Sequence, residues 1–238
     1  MANHQSHETS SVYQTDHPLI EHFLTLMRDR RCPHAQFRNY LKQIYVLLAH
    51  ETLVPPTFEV PTRQIEVDTP SEVVAEGRII KSEDMIIVSV MRSGIVPGAA
   101  VLELFPRAHL AHIGVQRNDK AGRPPKIYYE KYPLNSDGKP DMARHHCIIL
   151  EPMISTGDTA IAVLKALEKA RGHLQNAVFI SLICAPDGLS RVVNKFPELK
   201  IVTASVEAGL SETNQILPGM GDASDRAYMS EIMNTEEL

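Results

Sequence analysis

A chain of 238 residues with 43% hydrophobic content can bury one full core, and it exceeds a minimal domain of roughly 100–150 residues by enough for added arms. Its net charge of -5, with no basic run beyond a few residues, lacks the field that holds a nucleic-acid backbone, so no nucleic-acid partner is expected. Cys32, Cys147 and Cys184 stand far apart, as suits a reducing cytoplasm, and no apolar stretch approaches the roughly 20 residues that cross a bilayer, so no membrane is expected.

Residues 1–15 have little to bury and are expected to form a mobile tail. Asp16, placed as a cap, and Pro18, in a first turn, then open a helix in which Leu19, Ile20, Phe23, Leu24 and Met27 recur at helical spacing. A second helix follows with Phe37, Tyr40, Leu41, Ile44, Leu47 and Leu48 on one face, and Val54-Pro55-Pro56 ends it. Residues 57–75 alternate weakly and contain Pro61 and Pro70, which predicts an irregular or edge-strand connection.

The centre reads as repeated strand and helix. Ile86 to Val90 is a short strand, Gly94 to Phe105 a helix and Leu110 to Val115 a second strand. Residues 117–143 form a long polar connection around Ile127-Tyr128-Tyr129, read as a hairpin or lid in which the tyrosines pack or touch another subunit. A strand at Cys147 to Leu150 and a helix from Thr159 to Arg171, closed by Gly172, come next. The strand Ala177 to Cys184, the helix Asp187 to Phe196 and the strand Leu199 to Val206 complete the series. Apolar strands separated by helices predict an α/β fold, one domain over 16–238, with a mostly parallel sheet covered on both faces.

Three stretches carry chemistry. Glu151 stands at the end of a buried strand, and Pro152-Met153-Ile154-Ser155-Thr156-Gly157-Asp158-Thr159 then turns into a helix. Such a turn directs backbone N–H groups, hydroxyls and the helix dipole at one spot, so it can hold a phosphate without lysine while the acid accepts bonds from sugar hydroxyls. The plain alternative is a helix cap. It is neither a Walker A loop nor a dinucleotide fingerprint. Met91-Arg92-Ser93-Gly94 and Gln116-Arg117-Asn118 each put an arginine just past a strand, the rim where open α/β sheets bind ligands. Finally, Gly219, Gly221 and Ala223 sit within Gln215-Ile216-Leu217-Pro218-Gly219-Met220-Gly221-Asp222-Ala223-Ser224-Asp225-Arg226, where small residues let backbone approach a flat ligand.

Together these stretches resemble the type I phosphoribosyltransferases, and the uracil phosphoribosyltransferase family in particular. Members read acid-Pro-Met before the Thr-Gly turn, Leu-Arg-Ala-Gly at the first arginine, Tyr-Arg-Asn at the second, and Ile-Pro-Gly-Leu-Gly-Asp-Ala-Gly-Asp-Arg near the end. The likeness covers most of residues 16–226, including His17-Pro18-Leu19-Ile20, Leu26-Met27-Arg28, His50-Glu51-Thr52 and Thr203-Ala204-Ser205. It implies the type I phosphoribosyltransferase fold, with N-terminal helices, a hairpin or lid arm at about 117–143 and a base-binding hood at about 207–230. The implied reaction converts uracil and 5-phosphoribosyl 1-diphosphate to UMP and pyrophosphate. Under this resemblance Arg92, Arg117, Glu151 and Asp222 are catalytic. They bind phosphoribosyl diphosphate together with Pro152, Met153, Ile154, Ser155, Thr156, Gly157, Asp158 and Thr159, while Ile216, Gly221, Asp222 and Ala223 contact uracil. It also implies Mg²⁺ carried by the diphosphate with no protein ligand, GTP binding, and a homo-oligomer, dimer or tetramer. Two loop positions depart from the family: Glu151 stands for Asp, and Asp158 for Gly. Asp158 is therefore expected to face solvent, with only its backbone N–H toward a phosphate. Arg226-Ala227-Tyr228-Met229-Ser230 replaces a closing Phe-Gly. The alternatives are a phosphoribosyltransferase for another base, or a ligand-binding regulatory relative without turnover.

Overall fold

Residues 11–54, 57–116, 124–142, 145–170 and 172–229 are described by the structure, a computed structural model. Pro18 opens helix α1 (Pro18–Arg28), and the His17 imidazole accepts the Leu19 N–H at 3.2 Å. Asp16 is thus not the cap: with proline at the first helical position, the capping residue is the one directly before it. Helix α2 (His34–Thr52) buries Phe37, Leu41, Ile44, Tyr45 and Leu48 completely.

Val12–Gln14, inside the stretch read as a tail, is strand β1, which finds backbone partners at a sheet edge. Residues 57–61 are irregular as expected, but the rest of 57–75 belongs to a two-stranded hairpin rather than a sheet-edge connection. Strands β2 (Thr62–Asp68) and β3 (Val74–Ile80) make a regular antiparallel hairpin from Thr62 opposite Ile80 to Asp68 opposite Val74. Pro61 precedes its ladder and Pro70 lies in its turn, so neither removes a ladder donor. Most of its residues are exposed on both faces, which is why the sequence alternates only weakly there.

The αβ core then runs β4 (Met85–Met91), α3 (Ile95–Leu104), β5 (His109–Gln116), β6 (Lys126–Lys131), β7 (His146–Leu150), β8 (Met153–Ile154) and α4 (Asp158–Lys169). It continues through β9 (Ala177–Cys184), α5 (Pro186–Lys195) and β10 (Lys200–Val206). The strands lie in the order β1-β10-β9-β7-β4-β5-β6, with β8 also on β9. Every pairing is parallel except β6, which folds back antiparallel on β5. There the Tyr128 ring covers Gly114, where an added Cβ would come within 2.6 Å of it.

Alternate residues of each strand serve opposite layers. Met85, Ile87, Ile148, Leu150, Val178 and Ile180 join the core shared with α1 and α2, whereas Ile86, Val88, Cys147, Ile149 and Phe179 join the one shared with α4 and α5. The chain runs outward from β4 to β5, then returns to the other side of β4 at β7, so strand order reverses between β4 and β7. Ser89 pairs with Leu150, and the turns at Arg92 and Glu151 therefore leave the sheet side by side. Among the described residues no helix is long and apolar enough to cross a membrane.

Candidate active site

The turn after β4 has a cis peptide between Met91 and Arg92, and the Gly94 N–H donates to the Val90 carbonyl at 2.8 Å. A Cβ at Gly94 would lie 2.5 Å from the Leu150 carbonyl oxygen, so only glycine lets this turn press on the end of β7. From it Arg92 extends, half-exposed, with Nη2 at 3.1 Å from Asp225 Oδ1.

Beside it, Glu151 is buried, and its N–H donates to the Ile180 carbonyl at 3.3 Å. Tyr45, wholly buried beneath, donates its hydroxyl to the same carbonyl at 3.4 Å. Burial, and after it the nearby Glu151 charge, push the Tyr45 phenol well above its ordinary pKa. The loop then passes Gly157, at φ +80°, into α4. Ser155 Oγ donates to the Asn214 carbonyl at 2.6 Å, fastening the loop to the C-terminal segment.

Asp158 does not simply face solvent. Half-exposed, its Oδ1 accepts from Arg191 Nη2 at 2.7 Å and its Oδ2 accepts from the Thr156 hydroxyl at 2.7 Å. Arg191 Nη1 also donates to the Thr156 carbonyl. Burial raises the Asp158 pKa, but the hydrogen bonds from Arg191 and Thr156 more than reverse it, leaving the carboxyl below its ordinary range. The departure at this position is accommodated by an arginine from α5, a partner 33 residues away that loop spacing could not reveal.

The third corner follows a ribbon of β11 (Gly209–Leu210) and β12 (Ile216–Leu217) and leads into α6 (Ala223–Tyr228). Gly219 and Gly221 adopt φ of +62° and +74°. Asp222 caps α6, its Oδ1 accepting the Ser224 N–H at 2.8 Å and the Asp225 N–H at 3.1 Å. Ile216 and Ala223 bury their side chains in the core, so a ligand at those positions would meet backbone.

Arg28 and Glu207 fix this corner. Arg28 Nη2 and Nη1 donate to the Glu207 carboxylate at 2.6 and 2.8 Å, Nη1 donates again to the Gly219 carbonyl at 2.8 Å, and Glu207 accepts the Gly219 N–H at 3.1 Å. One ion pair thereby holds both backbone polar groups of Gly219. Arg226 anchors the other side, donating to the Met220 and Asp29 carbonyls at 2.7 Å and lying 4.5 Å over the Phe37 ring.

The structure thus brings Arg92, the Glu151 to Thr159 loop and the Ile216 to Ala223 segment to one end of the sheet. Arg117 lies outside the described residues. A cavity of about 360 Å³ near Leu174 and Leu199 opens at the opposite, amino ends of β9 and β10, and a cleft of about 500 Å³ between α4 and α5 meets the loop at Asp158.

Residues 14–230 match the profile of the uracil phosphoribosyltransferase family. The chain belongs to that family. The uracil phosphoribosyltransferase of Caldanaerobacter subterraneus is 36% identical over 218 residues, covering 92% of this chain and 97% of the relative. The solved AQ2163 protein of Aquifex aeolicus superposes with a TM-score of 0.82 at 26% identity, covering 93% of this chain and 100% of that one. The adenine phosphoribosyltransferase of Trypanosoma brucei, 12% identical with a TM-score of 0.51 over 85% of this chain and 86% of its own, shares the fold. Within this uracil phosphoribosyltransferase framework, Gly188, Arg191, Arg28 and Glu207 shape the site although no motif assigns them. Two of them leave a trace in sequence: Arg28 closes the Leu26-Met27-Arg28 stretch of the family likeness, and Gly188 is a glycine in the first turn of a helix. In α5 an added Cβ at Gly188 would fall 1.9 Å from the Ser155 carbonyl oxygen.

Proposed function

We propose that the protein transfers the 5-phosphoribosyl group of 5-phosphoribosyl 1-diphosphate to N1 of uracil, yielding UMP and pyrophosphate. One observation carries the reading: in a member of this family, the three motif-bearing turns meet at the switch point and are cross-linked, Arg92 to Asp225 at 3.1 Å and Ser155 to Asn214 at 2.6 Å.

The turn from Ser155 to Thr159 takes the 5-phosphate on backbone N–H groups and the α4 dipole, supported by Pro152, Met153 and Ile154, and Glu151 accepts bonds from the ribose hydroxyls. Arg92 and Arg117 hold the diphosphate by forked, charge-assisted bonds. Backbone at Ile216, Gly221 and Ala223 matches the alternating donors and acceptors of uracil and leaves the cytosine amino group without an acceptor. The C1–O bond to the diphosphate breaks as C1–N1 forms, with oxocarbenium character at C1; pyrophosphate leaves with the electron pair and N1 loses its proton. No nucleophilic side chain is required, so positioning and electrostatics supply most of the acceleration.

Mg²⁺ would be held by the diphosphate oxygens, with the Asp222 carboxylate beside them. Mg²⁺ arriving on the substrate supplies charge neutralisation for the leaving group. The family resemblance adds a homo-oligomeric, cytoplasmic enzyme that binds GTP, and these belong to the same proposal.

Asp222→Asn tests the site. Asparagine caps a helix about as well as aspartate, so Tm should stay within about 2 °C. The lost charge should lower kcat/KM for UMP synthesis by about a hundredfold. Wild-type UMP synthesis by the variant would remove Asp222 from the site.

A further inference from the structure

Asp158 puts a carboxylate on the first residue of α4, at the mouth of the loop that holds the 5-phosphate on the reading above. Left alone, that charge would oppose the anion the loop is built to hold. It is not alone. Arg191 lies three residues beyond Gly188 on α5, hence on the same face, and Gly188 is the residue pressed against Ser155. This packing delivers the guanidinium to both Asp158 Oδ1, at 2.7 Å, and the Thr156 carbonyl. Asp158 Oδ2 is occupied by the Thr156 hydroxyl at 2.7 Å, so both carboxylate oxygens are engaged, one by the loop and one by α5. Holding the Thr156 carbonyl also fixes its peptide plane, and with it the direction of the Gly157 N–H.

We propose that Arg191 is a positioning residue for the phosphate loop, which neutralises Asp158 and holds its carboxylate aside so that the loop accepts phosphoribosyl diphosphate despite its acidic first helical residue. The role rests on the phosphate-binding reading of the loop and deepens it. Asp158 and Arg191 then form a matched pair: an acid in the loop is tolerated because a fork-shaped cation from the neighbouring helix spans it, and a shorter or neutral side chain at 191 would not. The requirement for Arg191 therefore depends on Asp158 being present.

The test is titration calorimetry of Mg–phosphoribosyl diphosphate into the full-length wild type, Arg191→Gln and the double variant Asp158→Gly with Arg191→Gln, with Tm and the uracil KM measured alongside. Arg191→Gln should weaken binding by about tenfold while changing the uracil KM less than about twofold, because a charge-assisted bond is lost at the loop only. Arg191 is half-exposed, so the fold should survive the change. Removing Asp158 as well should recover most of the lost affinity. Unchanged affinity in Arg191→Gln overturns the role, as does a loss that Asp158→Gly fails to recover or one that raises the uracil KM equally. A wild type that does not bind phosphoribosyl diphosphate at all overturns the loop reading itself, and this role with it.

Discussion

Replacing Gly188 with alanine should lower kcat/KM for phosphoribosyl diphosphate by about a hundredfold, a larger effect than its cost to stability. The added Cβ would fall 1.9 Å from the Ser155 carbonyl oxygen and 2.9 Å from the Gly157 nitrogen. Both are backbone atoms, so no rotamer change relieves the clash, and α5 and the loop must separate by roughly 1 Å. A displacement of that size at groups holding a substrate costs about 10²-fold. Stability responds less. Overpacking costs about 1–3 kcal/mol, and alanine in place of a helical glycine returns up to about 1 kcal/mol. The net of about 0–2 kcal/mol corresponds to a Tm decrease of at most roughly 8 °C for a chain of this size. Steady-state kinetics beside a melting curve separate the two effects. Unchanged kcat/KM would mean that the contact between α5 and the loop does not govern the site.

The second large effect is expected at Glu207. Glu207→Ala removes the acceptor of two Arg28 hydrogen bonds and of the Gly219 N–H at once. Breaking a buried ion pair commonly costs 3–5 kcal/mol, but the Arg28 side chain is 27% exposed and can partly rehydrate, so about 2–4 kcal/mol is expected. Tm should fall by roughly 5–15 °C. Because Gly219 stands two residues before Gly221, the uracil KM should rise by about tenfold, with the phosphoribosyl diphosphate KM affected far less. The acid limb gives a further check. Burial raises the Glu207 pKa, yet the bonds from Arg28, Ser205 and the Gly219 N–H outweigh it and hold the carboxyl below its ordinary 4.5. A depressed carboxylate stabilises the fold fully above its unfolded-state pKa and loses that contribution as pH falls through its folded-state pKa. Stability of the wild type should therefore decline below about pH 4.5, and Glu207→Gln should flatten that decline.

Much of the architecture was legible because strand and helix periods differ. Ala177 to Cys184 is a strand with the bounds its apolar run implies, and the helix stopped by Val54-Pro55-Pro56 ends at Thr52. The failures have local causes. His17 rather than Asp16 caps α1 because Pro18 fixes where the helix begins. The 62–80 hairpin escaped because its mostly exposed faces impose little alternation. At the site, the turns themselves were legible: Arg92 follows β4, Glu151 follows β7 and Asp222 precedes α6, as the runs around them imply. What joins the turns was not. Arg28 and Glu207 are 179 residues apart, Arg92 and Asp225 are 133, and each pair exists only once the sheet has brought its ends together. The meaning of Asp158 likewise depended on Arg191.

Joining uracil, and not another base, to phosphoribosyl diphosphate is the activity proposed for this fold. The most direct measurement supplies the protein with Mg²⁺, phosphoribosyl diphosphate and an equimolar mixture of uracil, cytosine, adenine, guanine and hypoxanthine, and resolves the nucleotides formed over time. UMP should accumulate as the dominant product, matched one for one by pyrophosphate. A nucleotide of another base formed ahead of UMP, or bound phosphoribosyl diphosphate with no nucleotide at all, would contradict it.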